Sequence, residues 1–113
     1  MYHELSDRTM ETLEESLEGL LDQVGNYKYE VEYSSGVLTL SLGDTGTYVI
    51  NKQPPNKQIW LSSPFSGPKR YDFDEVTRSW RYARDHRSLG ELLNKELSDA
   101  LKTDVDLPLD NMS

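Results

Sequence analysis

The chain has no cysteine among its 113 residues. That removes disulfides, a thiolate nucleophile and any cysteine-based zinc site, and it leaves the redox compartment open. Basic residues are few: 12 Lys and Arg stand against 20 Asp and Glu, for a net charge of −8. Phosphate contacts dominate nucleic-acid affinity and need Lys and Arg, so a nucleic-acid partner is not expected. No apolar run approaches the 18 or so residues that a membrane-spanning helix needs, so no membrane is expected either. No signal or transit segment is visible, and Met1 followed at once by a helical pattern reads as a trimmed or mature form.

Catalytic signatures are equally scarce. His3 and His86 lie far apart and outside any metal-ligand spacing such as H-x-x-x-H. Ser66-Gly67-Pro68-Lys69 is too short and too proline-broken to cradle a phosphate. No nucleophile–base set stands out. The expectation is a protein with no catalytic group of its own.

What is present begins with one helix, Tyr2 to Val24. Its acids are Glu4, Asp7, Glu11, Glu14, Glu15, Glu18 and Asp22. At the helical step these seven fall inside an arc roughly 100° wide. Leu5, Met10, Leu13, Leu17, Leu20, Leu21 and Val24 occupy another arc, the core face. Only Arg8 flanks the acidic stripe. Surface helices commonly alternate acid with base and gain about 0.2–0.5 kcal/mol per i,i+4 pair. Here Asp7–Glu11, Glu11–Glu15, Glu14–Glu18 and Glu18–Asp22 are like-charge pairs that cost similar amounts. Charge runs are most often solvated faces that keep a protein soluble. The alternative is a surface kept for cations or a basic partner. Carboxylates are hard oxygen ligands, so Glu11, Glu14, Glu15 and Glu18 suit Mg, Ca, Mn or Fe(II) better than zinc or copper. Such a site is exposed and only partly coordinating, hence weak. Glu30 and Glu32, on the first strand, are expected to extend the negative surface.

Six short strands follow. Tyr29, Val31 and Tyr33 alternate with Glu30 and Glu32; Leu38, Leu40 and Leu42 point inward in the next run; Tyr48 and Ile50 lead the third. Ile59 and Leu61 face inward in the fourth. Tyr71 and Phe73, then Trp80 and Tyr82, mark two more. Ser34-Ser35-Gly36, Gly43–Gly46 and Gln53-Pro54-Pro55-Asn56 are turns, and Ser63–Lys69, with two prolines and a glycine, is expected to be loop. Ser88 with Glu91 forms a capping box that opens a second helix, whose apolar face is Leu89, Leu92, Leu93, Leu97, Ala100 and Leu101. Residues 103–113 form a C-terminal tail, coil packed down by Leu107 and Leu109.

Strands this close in sequence pair as hairpins, and period-2 alternation leaves one face wet. The fold class is therefore α+β: one domain over residues 1–113, a two-layer sandwich. Its mainly antiparallel sheet of about six strands carries the N- and C-terminal helices on one face. Asn51, Gln53, Gln58, Trp60 and Arg70 are expected on the open face. An exposed Trp beside amides and an Arg is the composition of a protein-binding hot spot. A one-residue slip would turn Trp60 into core, but Ile59 and Leu61 on either side argue against it.

The run Gly46-Thr47-Tyr48-Val49-Ile50-Asn51-Lys52-Gln53-Pro54-Pro55-Asn56-Lys57-Gln58-Ile59-Trp60-Leu61-Ser62-Ser63-Pro64, closed by Ser66-Gly67-Pro68-Lys69-Arg70-Tyr71-Asp72, resembles frataxin of the eukaryotic, mitochondrial type. Ser35–Thr39, Ser88-Leu89 and Ala100–Thr103 extend the resemblance, and the acidic helix aligns with the family's first helix. The resemblance implies an antiparallel sheet backed by two helices and a place in the mitochondrial matrix. It implies a part in iron–sulfur cluster assembly, with cysteine desulfurase, its accessory subunits and the scaffold protein as partners and ferrochelatase as a further one. Iron, Fe(II) or Fe(III), would bind weakly along a ridge of Asp7, Glu11, Glu14, Glu15, Glu18 and Asp22, with Glu30 nearby. The partner surface would be Asn51, Gln53, Gln58, Trp60 and Arg70. Two readings follow: an activator of sulfur transfer from desulfurase to scaffold, or an iron chaperone and store with ferroxidase activity that donates Fe(II) for cluster and heme synthesis. This chain has Gly19 where many members carry an acid, and Arg8 where some do. A ridge that binds iron or polymerises less readily is the expected consequence.

Overall fold

The structure is a computed structural model that describes residues 2–110. Met1 and the last residues of the expected tail, 111–113, lie outside the described part. Helix α1 (Tyr2–Val24) buries Leu5, Met10, Leu13, Leu17 and Leu20, with Leu21 and Val24 half-buried at its rim. It stops at Gly25, whose φ of 73° suits glycine and whose N–H bonds to the Leu21 carbonyl at 2.9 Å.

Six strands then run as a meander: β1 (Tyr29–Ser34), β2 (Val37–Leu42), β3 (Thr47–Gln53), β4 (Gln58–Ser63), β5 (Gly67–Asp74) and β6 (Ser79–Tyr82). They lie side by side in sequence order, every pair antiparallel. Ser35 and Gly36 have φ of 53° and 79°, the two positive values that a tight two-residue hairpin turn requires. Helix α2 (Leu89–Leu101) closes the fold. The inward residues of the strands form one cluster with the apolar faces of α1 and α2, so both helices cover the same side of the sheet. The α+β sandwich expected from the alternation is the observed architecture.

Three details differ from expectation or sharpen it. The segment expected as loop, Ser63–Lys69, is strand at both ends, and only residues 64–66 connect β4 to β5. Pro68 sits inside β5 without cost to the sheet. It pairs with Ser62 on one side, while β6 pairs only with Tyr71–Asp74, so no ladder bond is demanded of the missing N–H. At the start of α2, the Ser88 hydroxyl accepts from the Glu91 N–H at 3.0 Å. The Glu91 carboxylate meanwhile lies 3.8 Å from Arg81. The described part of the tail, 103–110, is without helix or strand and packs firmly: Val105, Leu107 and Leu109 are buried. Two polar side chains one turn apart on α2 accept its amides, Ser98 from Val105 at 2.9 Å and Asn94 from Leu107 at 2.7 Å.

Buried polarity is paired throughout the core. The Trp80 indole donates to the Thr9 hydroxyl at 2.8 Å, and Thr9 donates onward to the Leu5 carbonyl at 2.8 Å. This chain of bonds fixes the N-terminal part of α1 against β6. The Tyr2 hydroxyl ties the first residue of the same helix to β3 and β4. It donates to the Gln58 carbonyl at 2.8 Å and accepts from the Gln53 N–H at 3.0 Å.

Candidate functional site

Two surfaces carry the candidate residues, one on α1 and one on the open face of the sheet. On α1, Glu4, Glu11, Glu15, Glu18 and Asp22 are exposed, and Asp7 and Glu14 are half-buried. Among the described residues no three of His, Asp and Glu converge into a metal cluster. The ridge is a row of carboxylates, as the i,i+3 and i,i+4 spacing requires, and its members take their charge from one helix. A Cβ built on Gly19 meets nothing within 4 Å, so the interruption in the row leaves open space.

The ridge has a basic partner that the helix alone does not reveal. Lys52 alternates inward with Tyr48 and Ile50 on β3, and its ammonium donates to Asp7, 45 residues away in sequence. That bond raises the Lys52 pKa, an effect larger than the opposing burial. The nearby Tyr33 phenol is raised by burial, with Lys52 acting against it.

Glu30 lies beside this region, on the face that the strand alternation assigns it. Val31 pairs with Leu40 and packs inward, so Glu30, opposite Ser41, and Glu32, opposite Thr39, point to the helix-free side. They share an edge of the molecule with α1 but not its face. The physical reason is the period of two: a strand that gives Tyr29, Val31 and Tyr33 to the core must give its acids to the other side.

The open face gathers all five of its expected residues. The register aligns Val37, Asn51, Trp60 and Arg70 on one rung across β2 to β5. Gln53, Gln58, Asp72 and Arg81 form the next rung across β3 to β6. Ile59 and Leu61 are buried, Trp60 is half-buried and Arg70 is exposed. The Arg70 guanidinium lies over the Trp60 ring, 4.4 Å from its centroid, within cation–π range. The Trp60 indole donates to Gln58 at 2.9 Å, and the Gln58 amide donates to Asp72 at 3.0 Å. Asn51 donates to the Lys52 carbonyl at 3.1 Å. The indole is thus clamped on one face by Arg70 and at its nitrogen by Gln58. A shallow groove of about 660 Å³ runs beside it, lined by Val49, Asn51, Trp60, Pro68, Arg70 and Arg84.

Asp72 and Arg84 were not among the expected site residues. Asp72 follows Arg70 by two on β5, so strand alternation alone could have put it on this face. Arg84 lies beyond β6, and nothing local announces that it reaches the groove.

Chemically, the ridge offers hard oxygen ligands in an open array, suited to weak binding of a hard divalent cation or of a basic surface. The open face offers a rigid aromatic anchor with a polar rim, the make-up of a contact surface between proteins. Among the described residues no helix is long and apolar enough to cross a membrane.

Residues 1–103 match the family model of the frataxin-like domain. The mitochondrial frataxin homologue of Schizosaccharomyces pombe is 48% identical over 97 residues, covering 86% of this chain and 61% of that protein. The mitochondrial frataxin of Dictyostelium discoideum is 45% identical over 107 residues, covering 95% of this chain and 55% of that one. The chain therefore spans a little over half the length of these curated relatives. The trimeric frataxin of Saccharomyces cerevisiae, solved in complex with ferrous iron, superposes with a TM-score of 0.79. It is 42% identical, over 88% of this chain and 87% of that one. A frataxin from Psychromonas ingrahamii, at 21% identity and a TM-score of 0.74, shares the fold. With the acidic helix, the Trp60–Arg70 face and these likenesses together, the chain belongs to the frataxin family, and its likeness is to the eukaryotic, mitochondrial type.

Proposed function

We propose that this protein is an iron-binding activator of iron–sulfur cluster assembly in the mitochondrial matrix. It promotes sulfur transfer from cysteine desulfurase to the scaffold protein. The observation that carries this reading is the aligned rung of Asn51, Trp60 and Arg70 on a face with no helix over it. An indole already held by Arg70 and Gln58 loses little side-chain entropy on docking, so its burial against a partner contributes mostly to affinity.

The acidic ridge serves the same complex from the other side. Its field attracts an Arg-rich surface of the desulfurase and speeds encounter more than it tightens the final complex. Bound at two faces, the protein favours the arrangement in which the sulfur-carrying loop of the desulfurase reaches the scaffold, a population shift set by differential contacts. Fe(II) is held as cargo on the ridge carboxylates, weakly, and no side chain of this chain takes part in the sulfur chemistry.

The test is sulfide production by a purified desulfurase–scaffold complex under reducing, anaerobic conditions. The arms are no addition, the wild-type chain and Trp60→Ala, each with and without Fe(II). Stimulation that disappears in Trp60→Ala supports the activator reading. A wild-type chain that fails to stimulate a compatible complex sinks it.

The second reading is an iron chaperone or store, with ferroxidase activity, that hands Fe(II) on for cluster and heme synthesis, with ferrochelatase among its recipients. The ferrous complex of the yeast relative favours keeping it. It requires the ridge, so replacing Glu11, Glu15 and Glu18 together by Gln would then abolish iron binding and function alike.

A further inference from the structure

Behind the open face, the turn between β4 and β5 is held by an unusually complete set of bonds. Ser63 is buried at the end of β4, and its hydroxyl has one proton and two lone pairs to place. It donates to the Glu96 carboxylate of α2 at 2.7 Å. It accepts from the Phe65 N–H at 3.0 Å and from the Ser66 N–H at 3.1 Å. All three capacities of one hydroxyl are used. The same Glu96 oxygen accepts from the fully buried Tyr48 hydroxyl at 2.7 Å. Burial, then the bond to Glu96, pushes the Tyr48 phenol well above its ordinary range, so it stays a donor.

The logic of the node is directional. An ionised carboxylate only accepts, so it draws the Ser63 proton toward α2 and leaves both serine lone pairs for the turn amides. Without Glu96 that proton loses its carboxylate acceptor and must turn toward another, the Tyr48 hydroxyl included, which disturbs the two turn bonds. The turn is tied at further points. A Cβ on Gly46 would fall 2.5 Å from the Pro64 side chain, so the β2–β3 connection rests directly on it. The Lys69 ammonium donates to the Ser66 carbonyl at 3.1 Å.

What the turn controls is register. Three residues, 64–66, join the strands, and from that closure Ser63 faces Gly67, Leu61 faces Lys69 and Trp60 faces Arg70. A slip of one residue would send the Arg70 side chain to the helix side and leave the Trp60 ring bare.

We infer that Glu96 is a positioning residue for the partner face: through Ser63 it holds the 64–66 turn in the conformation that sets Arg70 over Trp60. The site it serves is the one proposed above, so the functional half of the inference rests on that reading. The two branches of the node separate the role from mere stability. The Ser63 hydroxyl bonds the turn amides directly, whereas the Tyr48 hydroxyl ties β3 to α2, and its ring, which rests edge-on against Phe65 with centroids 6.2 Å apart, is kept in Tyr48→Phe.

The test compares Ser63→Ala, Glu96→Ala, Glu96→Gln and Tyr48→Phe with the wild-type chain, in isolation and by NMR. The readouts are amide exchange at Phe65 and Ser66 and the indole N–H resonance of Trp60. Ser63→Ala and Glu96→Ala should speed exchange at both amides at least about tenfold and shift the Trp60 resonance. Glu96→Gln keeps an acceptor oxygen and should restore most of both signals. Tyr48→Phe should lower the melting temperature while leaving the Trp60 resonance and the turn amides as in the wild type. The inference is overturned if Glu96→Ala or Ser63→Ala leaves both signals unchanged, or if Tyr48→Phe moves them as much as Ser63→Ala does. In the sulfide assay, Ser63→Ala should then raise the concentration needed for half-maximal stimulation about threefold or more, with the maximum retained. A wild-type chain that does not stimulate would refute the proposed function, while the resonances of the isolated chain still decide the role of Glu96.

Discussion

The acidic ridge and the open sheet face are built on opposite plans. The ridge comes from one helix. Its carboxylates are neighbours by spacing, and among the described residues only Asp7 is seen tied to another element, through Lys52. The sheet face comes from four strands. Its side chains hold one another, Arg70 on Trp60, Trp60 on Gln58, Gln58 on Asp72. A row of loosely held like charges acts through its field, at a distance, and is screened by salt. A locked aromatic acts by fit, at contact, and is indifferent to salt. On the proposed function, one protein carries a surface for attraction and a surface for recognition, and the two should fail in different ways.

The largest expected break is Trp60→Ala. Removal of a central aromatic anchor costs about 2 kcal/mol or more of binding, roughly a thirtyfold loss of affinity. Titration of the scaffold complex by calorimetry measures this. Iron binding to the ridge should be unchanged, and a parallel loss of iron would show that the two surfaces are one. Next in size is the replacement of Glu11, Glu15 and Glu18 by Gln. Association with a basic partner should slow about tenfold at low salt, and the difference should vanish as the Debye length falls to about 3 Å near 1 M. Stopped-flow rates across a salt series would read it. A salt-independent loss would mean that the ridge also works by contact.

Gly19→Ala sharpens the same contrast from the stability side. Gly19 sits inside α1 with open space at its Cβ, so the substitution should stabilise the fold by about 0.5–1 kcal/mol. Gly19→Asp, in the same space, should strengthen iron binding while losing part of that gain to repulsion along the stripe. Denaturant melts and iron titration of the pair would separate the two effects.

The smallest effect lies where the regions meet. Lys52 holds its proton more tightly folded than unfolded, because of Asp7, so its ordinary value of 10.5 is raised. The pair's contribution is complete below that ordinary value and is lost as pH rises through the raised one. Tyr48 and Tyr71 add to the same alkaline loss, since burial keeps both phenols protonated in the fold while an unfolded tyrosine ionises near pH 10. Stability should therefore fall above about pH 10. Lys52→Met should cost only about 0.5 kcal/mol at neutral pH, because Asp7 is half exposed to solvent.

Much of this was legible along the chain. The spacing of Leu5, Met10, Leu13, Leu17 and Leu20 marks the core face of α1, and the acids between them mark the ridge. Ile59 and Leu61 put Trp60 on the open face, and the structure agrees. Pro68 misled because proline excludes a ladder donor only where a neighbour demands one, and that depends on the length of β6. The alternation of Glu30 and Glu32 with Tyr29, Val31 and Tyr33 put those acids on the side away from the core, and the register agrees. Glu96 and Lys52 gave no local sign at all: each finds its partner dozens of residues away.

By itself, then, the amino-acid sequence determined which side chains share a face, because facing follows from periods of 3.6 and 2 that are properties of consecutive residues. Tertiary structure alone decided which faces meet: that Asn51, Trp60 and Arg70 fall on one rung, that Lys52 reaches Asp7, and that α2 steadies the β4–β5 turn through Glu96. Those outcomes depend on strand register and helix docking, which couple residues far apart in sequence and are set only when the whole core packs.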